Sequence, residues 1–452
     1  ITTKKGKEEG LNVTVNSSTM FAAGYLRKPE VQTSYSSGSQ GTYSTGGYVW
    51  GDKLDIGRTA LQYDPYTHEW VDMPLVSKGK NNLKNFQELS MVTNNNVSVS
   101  QKGKYGSVRT SLTHVYNKGQ YPNQKLNKIT YSVSGDMKWK KFSFDGGLTY
   151  NKRFYPNDMG AGYGGSGFLY NLLVWSGAEY DIRDYKNYWI KQDEQQNWMD
   201  TKWYDNPYFI ANEIVRSSDY DLINGYLSAN YDLNLSLRSG LDSYSQKKEW
   251  RNAVSAVGGW HKQGYYGLQR LGGYSLNNDL ILSADHKFGD FNVDGFIGGN
   301  VYYWKSDNIL GETQNGLKIP GYYSLKSSID PVKTTSGITK KLVTSVYAKA
   351  SVSWKSTLFL DVTGRNDWSS SLPSETRSYF YPSVAGSVVL SQFIPMPEVI
   401  DFWKVRGAWT QTKSDLGVYD TNNTYSVSTD LWNGESAAYY PTSIRGVAVK
   451  PS

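Results

Sequence analysis

The sequence contains no cysteine, which excludes disulfide bonds, thiolate metal ligands and cysteine nucleophiles. It also lacks any run of about 18 apolar residues, so no membrane-spanning helix is predicted. The 48 lysines and arginines and the 41 aspartates and glutamates are scattered along the chain. Scattered charge is typical of a solvated surface, and we therefore do not expect a nucleic-acid partner.

Residues that could carry catalysis or bind a metal are few and widely separated. The four histidines have no ligand spacing; they are His68, His114, His261 and His286. The glycine-rich run 160–167 lacks the Gly-Lys-Ser/Thr ending of a phosphate-binding loop. Asp193 and Glu194 are adjacent, and adjacent carboxylates seldom face each other across a sugar. We expect neither an enzyme nor a protein that holds a metal or another cofactor.

Aromatic residues and glycine are abundant, with 37 Tyr, 15 Trp and 44 Gly. The clearest pattern lies between Leu342 and Trp368, where nearly every second residue is apolar. This period of two predicts a pair of strands with one apolar and one polar face, joined by a turn near Lys355.

About thirteen such strands follow one another along the chain. They are connected alternately by long segments and by tight turns near Gly103, Lys140, Asp232, Gly289, Lys355 and Pro395. Aromatic residues flank the tight turns at Trp139, Phe142, Tyr231, Phe288, Phe291 and Trp354, and mark the opposite strand ends at Tyr116, Tyr150 and Tyr303. Strands of ~9 to 11 residues can cross a bilayer. These features predict an all-β fold, an antiparallel transmembrane β-barrel with short periplasmic turns and long extracellular loops.

Three segments resemble one family of proteins. Residues 363–373 (TGRNDWSSSLP), followed by residues 379–383 (YFYPS), resemble a characteristic stretch of the SusC/RagA family, the TonB-dependent outer-membrane transporters of the Bacteroidetes. Residues 1–7 (ITTKKGK) resemble the end of that family's plug domain, and residues 205–208 (DNPY) resemble a recurrent segment of an external loop. The resemblance extends over nearly the whole chain.

This resemblance implies a barrel of about 22 strands, located in the outer membrane of a Gram-negative bacterium. The barrel is plugged from inside and imports large nutrients, either glycan oligosaccharides or peptides. The implied partners are a SusD-like surface lipoprotein, outer-membrane lipid, and the TonB–ExbB–ExbD complex, which acts through an N-terminal region that the sequence lacks. About 13 strands are too few to close such a barrel, and open sheet edges in lipid leave backbone groups unpaired. We therefore expect a piece of a longer protein.

The same resemblance implies a division of the chain into two parts. Residues 1–9 are expected to be the end of the plug domain, and residues 10–452 a partial barrel. The long extracellular loops are expected at about residues 21–95, 151–220, 243–278, 304–340 and 366–379.

Aromatic residues of these loops are candidate contacts for a nutrient or a partner, because their flat faces suit stacking on sugars or gripping peptides. The candidates are Trp175, Trp189, Trp198, Trp203, Tyr204, Tyr208, Trp260, Tyr265 and Tyr266. The alternative left open is that they only pack the loops against each other or against a partner. The motif residues Arg365, Asn366, Asp367 and Trp368 are predicted to be structural, since an Arg and an Asp so close in sequence can pair and fix the base of a loop.

Two further functions stay open. A passive porin or adhesin barrel would have no plug-like domain before residue 1. A soluble secreted carbohydrate-binding β-protein would stay in solution without detergent.

Overall fold

The computed structural model describes residues 9–22, 30–45, 47–157, 167–200, 202–232, 234–258, 261–397, 399–428, 431–446 and 449. The strands are β1 (Gly10–Ala22), β2 (Gly38–Ser39), β3 (Thr42–Tyr43), β4 (Thr59–Tyr63), β5 (Trp70–Pro74), β6 (Ser90–Gly103), β7 (Gly106–Lys118), β8 (Lys125–Trp139), β9 (Phe142–Asn157), β10 (Trp189–Lys191), β11 (Gln195–Gln196), β12 (Ile214–Tyr231), β13 (Leu235–Val254), β14 (Gln263–Phe288), β15 (Phe291–Leu317), β16 (Ser328–Trp354), β17 (Leu358–Ser369), β18 (Ser378–Val389), β19 (Lys404–Thr410), β20 (Ser426–Val427) and β21 (Ala438–Tyr439). The α-helices are α1 (Asn82–Phe86), α2 (Phe168–Leu173) and α3 (Pro207–Glu213), and 3₁₀ turns cover Gly79–Asn81, Ile182–Tyr185, Leu325–Ser327 and Leu390–Gln392. None of the helices in these ranges has the length and apolar character needed to cross a membrane.

Thirteen strands form one antiparallel sheet, in the order β1-β6-β7-β8-β9-β12-β13-β14-β15-β16-β17-β18-β19. Each strand of this main sheet pairs with the one that follows it along the chain, so the sheet is a simple up-and-down meander. The short strands β2–β5, β10, β11, β20 and β21 pair two by two outside it. The all-β antiparallel fold and the count of about thirteen strands are confirmed.

The tight turns lie where the alternation of the sequence breaks. Connections of two or three residues join β8 to β9, β12 to β13, β14 to β15 and β16 to β17. Each contains a residue in the left-handed region, with φ of 52° at Lys140, 50° at Asp232, 56° at Gly289 and 49° at Lys355. Such residues let the chain reverse within a few positions.

The apolar face of the main sheet is exposed, and among the residues that the structure describes no second layer packs on it. Leu11 is 69% exposed, Leu227 63% and Ile297 55%. Other exposed residues on the strands are Val13, Val15, Val108, Leu112, Leu148, Leu237, Leu280, Leu282, Val301, Val346, Leu360, Val362 and Val384. Beside the short turns, the ring of Phe142 lies 4.9 Å from Tyr231 and 6.1 Å from Trp139. The sheet therefore presents an apolar surface with aromatic rings along its short-turn end.

Polar side chains on the other face join neighbouring strands. The hydroxyls of Ser111 and Ser132 lie 2.7 Å apart, and Thr130 donates to Asn151 Oδ1 at 2.9 Å. Such cross-strand pairs add to the backbone ladder.

Several strands continue well past the predicted loop boundaries. The connection between β13 and β14 is 255–262 instead of 243–278, and that between β15 and β16 is 318–327 instead of 304–340. The connection between β17 and β18 is 370–377 instead of 366–379. The outer halves of these strands carry polar residues on both faces, which removes the alternation, while backbone pairing continues without it.

The two longest connections come closer to their predicted bounds. They cover residues 23–89, between β1 and β6, and residues 158–213, between β9 and β12. The predicted plug segment 1–9 lies outside the described residues except for Glu9, and the glycine-rich run 160–167 does so except for Gly167.

Candidate functional site: the loop assembly

The long connections at one end of the main sheet are called here the loop assembly, and they are the described parts of residues 23–89, 158–213 and 255–262. They pack on one another around a shared apolar core, called here the loop core. Its residues come from segments far apart in the sequence, which are 63–86, 168–214 and 253–256. The members are Tyr63, Leu83, Phe86, Phe168, Leu172, Tyr180, Ile182, Tyr185, Trp198, Tyr208, Phe209, Ile210, Ala211, Ile214, Ala253 and Ala256. The largest buried cluster of the described chain therefore lies mainly in its loops, and only Ile214 and Ala253 come from the outer ends of main-sheet strands.

The segment of residues 205–208 begins helix α3 inside this core. Asn206 caps the helix, because its Oδ1 accepts from Tyr208 N at 2.8 Å and Pro207 occupies the first helical position. The Asn206 amide also donates to the carbonyl oxygens of Tyr185 at 2.9 Å and Asn197 at 2.8 Å. One short sequence thus starts a helix and joins it to two neighbouring turns.

Asp205 fastens the β13–β14 connection to the same core. Its carboxylate accepts from Gln196 Nε2 at 2.7 Å, Val257 N at 2.8 Å and Gly258 N at 2.7 Å. The side chain has no exposed surface, and this burial raises its pKa to about 6. The carboxylate therefore joins the β9–β12 connection to the β13–β14 connection by hydrogen bonds.

Three of the predicted contact residues are buried. Trp198 is 5% exposed, Tyr208 7% and Tyr266 6%. Trp198 packs edge-on against Tyr180 and Tyr185, with centroid distances of 5.6 and 4.8 Å. Trp198 and Tyr208 belong to the loop core, and Tyr266 is buried at the outer end of β14. Contact of these three residues with a nutrient or a partner stays a prediction.

Two more candidates are half-buried and hydrogen-bonded to acids. Trp189 packs against Phe209 at 5.0 Å and donates from Nε1 to Glu213 Oε1 at 3.2 Å. Burial raises the pKa of Glu213. The Tyr265 hydroxyl donates to Glu312 at 2.7 Å. The candidate Trp260 lies outside the described residues.

The remaining candidates belong to a more accessible cluster, called here the aromatic patch and formed by Tyr48, Tyr170, Trp175 and Tyr204. Trp175 stacks on Tyr204 with a centroid distance of 5.8 Å and an interplanar angle of 17°. Tyr170 meets both rings edge-on, at 5.9 and 6.3 Å, and Tyr48 meets Trp175 at 6.5 Å. The neighbouring Trp203 is 56% exposed.

Tyr48 and Tyr170 were not among the predicted contacts. They come from two connections more than a hundred residues apart, and no local pattern marks them. Gly47 helps to bring them together. It has a φ of +86°, and a Cβ at this position would lie 3.2 Å from Tyr204 Cε2. The patch therefore depends on the tertiary structure.

The motif residues lie at the outer end of β17. Arg365 Nε donates to Asp367 Oδ1 at 2.7 Å and Arg365 Nη2 donates to Ser345 Oγ at 2.9 Å. The Tyr381 hydroxyl donates to the other Asp367 oxygen. The pair joins β16, β17 and β18 just before the 370–377 connection.

The other two motif residues differ in environment. Asn366 donates to Ser378 Oγ at 3.0 Å, whereas Trp368 is 36% exposed.

A second feature is a polar cavity of about 560 Å³ on the polar face of the main sheet. Charged and aromatic side chains line it, including Arg109, Tyr226, Arg238, Asp242 and Asp279. The Arg238 guanidinium lies 5.5 Å from the Tyr226 ring centroid. The cavity offers donors and acceptors to a hydrophilic solute.

Among the residues that the structure describes, no group of three or more His, Cys, Asp or Glu side chains is placed to hold a metal ion.

No protein-family model matches the sequence, and no curated protein matches it. Solved structures do match. The structure of the RagAB peptide transporter aligns with 99% of this chain at a TM-score of 0.72 and 14% identity, and the chain covers 52% of it. The RagAB peptide importer aligns at a TM-score of 0.71 in its 'closed-closed' state and 0.69 in its 'open-open' state, with 14% and 13% identity.

The chain has the fold of part of these RagAB chains. It spans about half of their length, with 52%, 52% and 51% covered. The likeness agrees with the barrel fold that the sequence predicts, and it extends over nearly all of the strands and connections described above.

Proposed function

We propose that this chain is part of an outer-membrane transporter of a Gram-negative bacterium that imports large nutrients. The observation that carries the proposal is the exposed apolar face of a main sheet whose fold matches RagAB chains. A soluble β-protein would bury such side chains, each worth about 1.5 to 3 kcal/mol when fully buried. Lipid provides the same burial for a barrel. The exposed apolar face therefore disfavours the soluble carbohydrate-binding alternative, and we assign no catalytic role.

The proposed transport path follows the polar face of the main sheet. In a transmembrane barrel the face opposite the lipid lines the lumen. The polar cavity beside Arg238 and Asp242 supplies charged and hydrogen-bonding groups to a passing solute. The aromatic patch at the outer end offers the first contact, because Trp and Tyr faces suit sugars and peptides alike.

The proposed partners belong to the complete protein. They are a SusD-like surface lipoprotein and the TonB–ExbB–ExbD complex. Their support is the resemblance of residues 363–373 to the SusC/RagA family, together with the fold likeness to RagAB. The proposed cargo is a peptide or a glycan oligosaccharide. Peptides are the first to test, because the RagAB structures are described as those of a peptide importer or transporter.

Purification from native membranes tests the assembly. The complete protein is extracted in mild detergent, purified, and its companions are identified by mass spectrometry. Recovery from the outer membrane with a stoichiometric surface lipoprotein supports the transporter. Recovery from the membrane without a companion favours a passive porin or adhesin, and recovery from the soluble fraction overturns the proposal.

Deletion of the TonB-interacting region tests the energy coupling. In the complete protein, this deletion is expected to abolish nutrient uptake while the barrel still inserts into the outer membrane. Normal uptake after the deletion would exclude TonB-driven transport. Insertion is checked separately by heat-modifiable migration and surface labelling.

A further inference from the structure

Five residues that line one small cavity in the loop assembly each have a buried polar atom without a hydrogen-bond partner. The atoms are Asn171 Oδ1, Trp175 Nε1, Tyr180 Oη, Trp198 Nε1 and Asp200 Oδ2. Asn171, Trp198 and Asp200 are 1%, 5% and 8% exposed, so bulk water does not reach them freely. The Tyr180 hydroxyl can both donate and accept, and the neighbouring Ser176 side chain can pair with it.

Each of these atoms needs a partner of defined character. The two indole N–H groups can only donate, and the Asp200 carboxylate can only accept. Asn171 Oδ1 also accepts, since the Asn171 amide nitrogen already donates to the carbonyl oxygen of Asp205 at 3.0 Å. A buried polar group left unpaired costs about 1 to 3 kcal/mol. The cavity therefore suits an occupant that accepts hydrogen bonds from the two indoles and donates to the Asn171 and Asp200 oxygens, while the Tyr180 hydroxyl pairs with Ser176.

The size and polarity of the cavity select the occupant. Its volume is about 20 Å³, which is enough for one water molecule and too small for a sugar ring or a peptide unit. Two N–H donors disfavour a cation, and two oxygen acceptors disfavour an anion. We propose that this cavity binds one ordered water molecule, which bridges Trp175 and Trp198 to Asn171 and Asp200.

The bound water has a structural consequence for the aromatic patch. It links the end of the segment after α2 to the turn that follows Trp198, where Asp200 Oδ1 accepts from Lys202 N at 2.8 Å. Trp175 and Tyr204, whose rings stack in the patch, both line the cavity, and Trp175 Nε1 is buried there without a protein partner. The water thereby fixes the plane of the indole that forms the patch. This site stands independently of the transport function.

A density map of the complete protein at a resolution that shows waters tests the site. The wild type is expected to show one peak within about 2.7 to 3.2 Å of the two indole nitrogens and the two oxygens. An empty cavity, or density for a larger molecule, would overturn the proposal. This first result does not depend on any variant.

Asp200→Asn tests the bonding pattern. The asparagine Oδ1 can still accept from Lys202 N, while its amide group replaces Oδ2 at the cavity wall. Three donors then face one water that accepts only two hydrogen bonds, so loss of the peak is expected. An unchanged peak at full occupancy would contradict the assignment of Asp200 as an acceptor.

Asp64→Asn is the matched control. Asp64 Oδ1 accepts from Tyr66 N at 2.9 Å, in the same two-residue arrangement as Asp200 and Lys202, and Asp64 does not line the cavity. This variant is expected to keep the water peak. Loss of the peak in the control would show that the effect of Asp200→Asn is not local to the cavity.

If Asp200→Asn does not fold, Trp198→Phe replaces it. This change removes one indole N–H and keeps an aromatic ring in the core. The water is expected to lose one of its four partners and to show reduced occupancy, and full occupancy would argue against the bridge.

Discussion

The main sheet and the loop assembly place their apolar side chains in opposite ways. Within β12, Leu227 is 63% exposed although it lies in the middle of the alternating apolar positions from Ile223 to Tyr231. In the loop assembly, Phe168 and Phe209 have no exposed surface. One chain thus contains a region suited to apolar surroundings and a region that forms its own core against water. The polar outer halves of the strands separate the two.

The largest expected effect is in the loop core. Phe209→Ala removes a fully buried ring and should destabilise the loop assembly by about 3 to 5 kcal/mol, the usual cost of such a cavity. Hydrogen–deuterium exchange of the complete protein in detergent should show faster exchange in residues 167–214, with the main sheet unchanged. The control Trp203→Ala, at a side chain that is 56% exposed, should have little effect. Equal loss of protection in the sheet would mean that the two regions unfold as one.

A charge on the apolar face tests the other region. Leu227→Arg should cost about 2 to 4 kcal/mol in a lipid bilayer, where the side chain would face hydrocarbon. The measurement is reversible folding into lipid vesicles. Asn230→Arg is the control on the polar face of the same strand, where the Asn230 amide makes only a 3.4 Å contact with Ser228 Oγ. If both variants fold equally well, the exposed face does not contact lipid.

The hydrogen bonds of the Asp205 carboxylate should contribute less to the stability of the loop assembly than the loop core does. In Asp205→Asn, one carboxylate oxygen becomes an NH₂ group, so the N–H of Val257 or Gly258 loses its acceptor at a cost of about 1 to 3 kcal/mol. Exchange of these two backbone amides should accelerate. Asp64→Asn, at a side chain that bonds only within its own turn, should leave them protected.

The same residue predicts a pH dependence of the loop assembly. Burial raises the pKa of Asp205 to about 6, above the value of about 3.9 for an unfolded aspartate. The folded state therefore binds more protons between these two values, and this contribution to stability is complete below about pH 4 and lost as the pH rises through about 6. Thermal unfolding from pH 4 to 8 should show this fall in the wild type relative to Asp205→Asn. Parallel curves for the two proteins would exclude it.

The smallest expected effect concerns cargo binding at the aromatic patch. Trp175→Ala removes the ring that stacks on Tyr204 and should weaken binding of a peptide or oligosaccharide by about 0.5 to 1.5 kcal/mol. The measurement is the affinity of the complete protein for its cargo. Trp432→Ala, at an exposed indole outside the patch, should leave the affinity unchanged. Equal losses in both variants would remove the patch from the binding surface.

The outer halves of the strands could not be predicted from the sequence. Residues 333–340 of β16 pair with β15, yet they carry Lys, Thr, Ser and Gly with Ile338 as the single apolar residue, so the sequence predicted a loop there. The apolar parity of β16 near the short turn, by contrast, identified the strand. Apolar and polar residues alternate along a strand only where its two faces have different surroundings. Where both faces contact water, the alternation is lost.

The sequence by itself determined the number of strands in the main sheet, the positions of most tight turns and which residues share a face, because these depend on neighbours within a few positions. The tight turn predicted near Pro395 was wrong, because residues 390–403 form a longer connection between β18 and β19. Only the tertiary structure decided which loop aromatics are buried, as Trp198 is, and which form an accessible surface, as Trp175 does with Tyr48. The hydrogen bonds of Asp205 and the small cavity lined by Trp175 and Trp198 also arise from distant segments. Contacts between such segments leave no periodic trace in a single sequence.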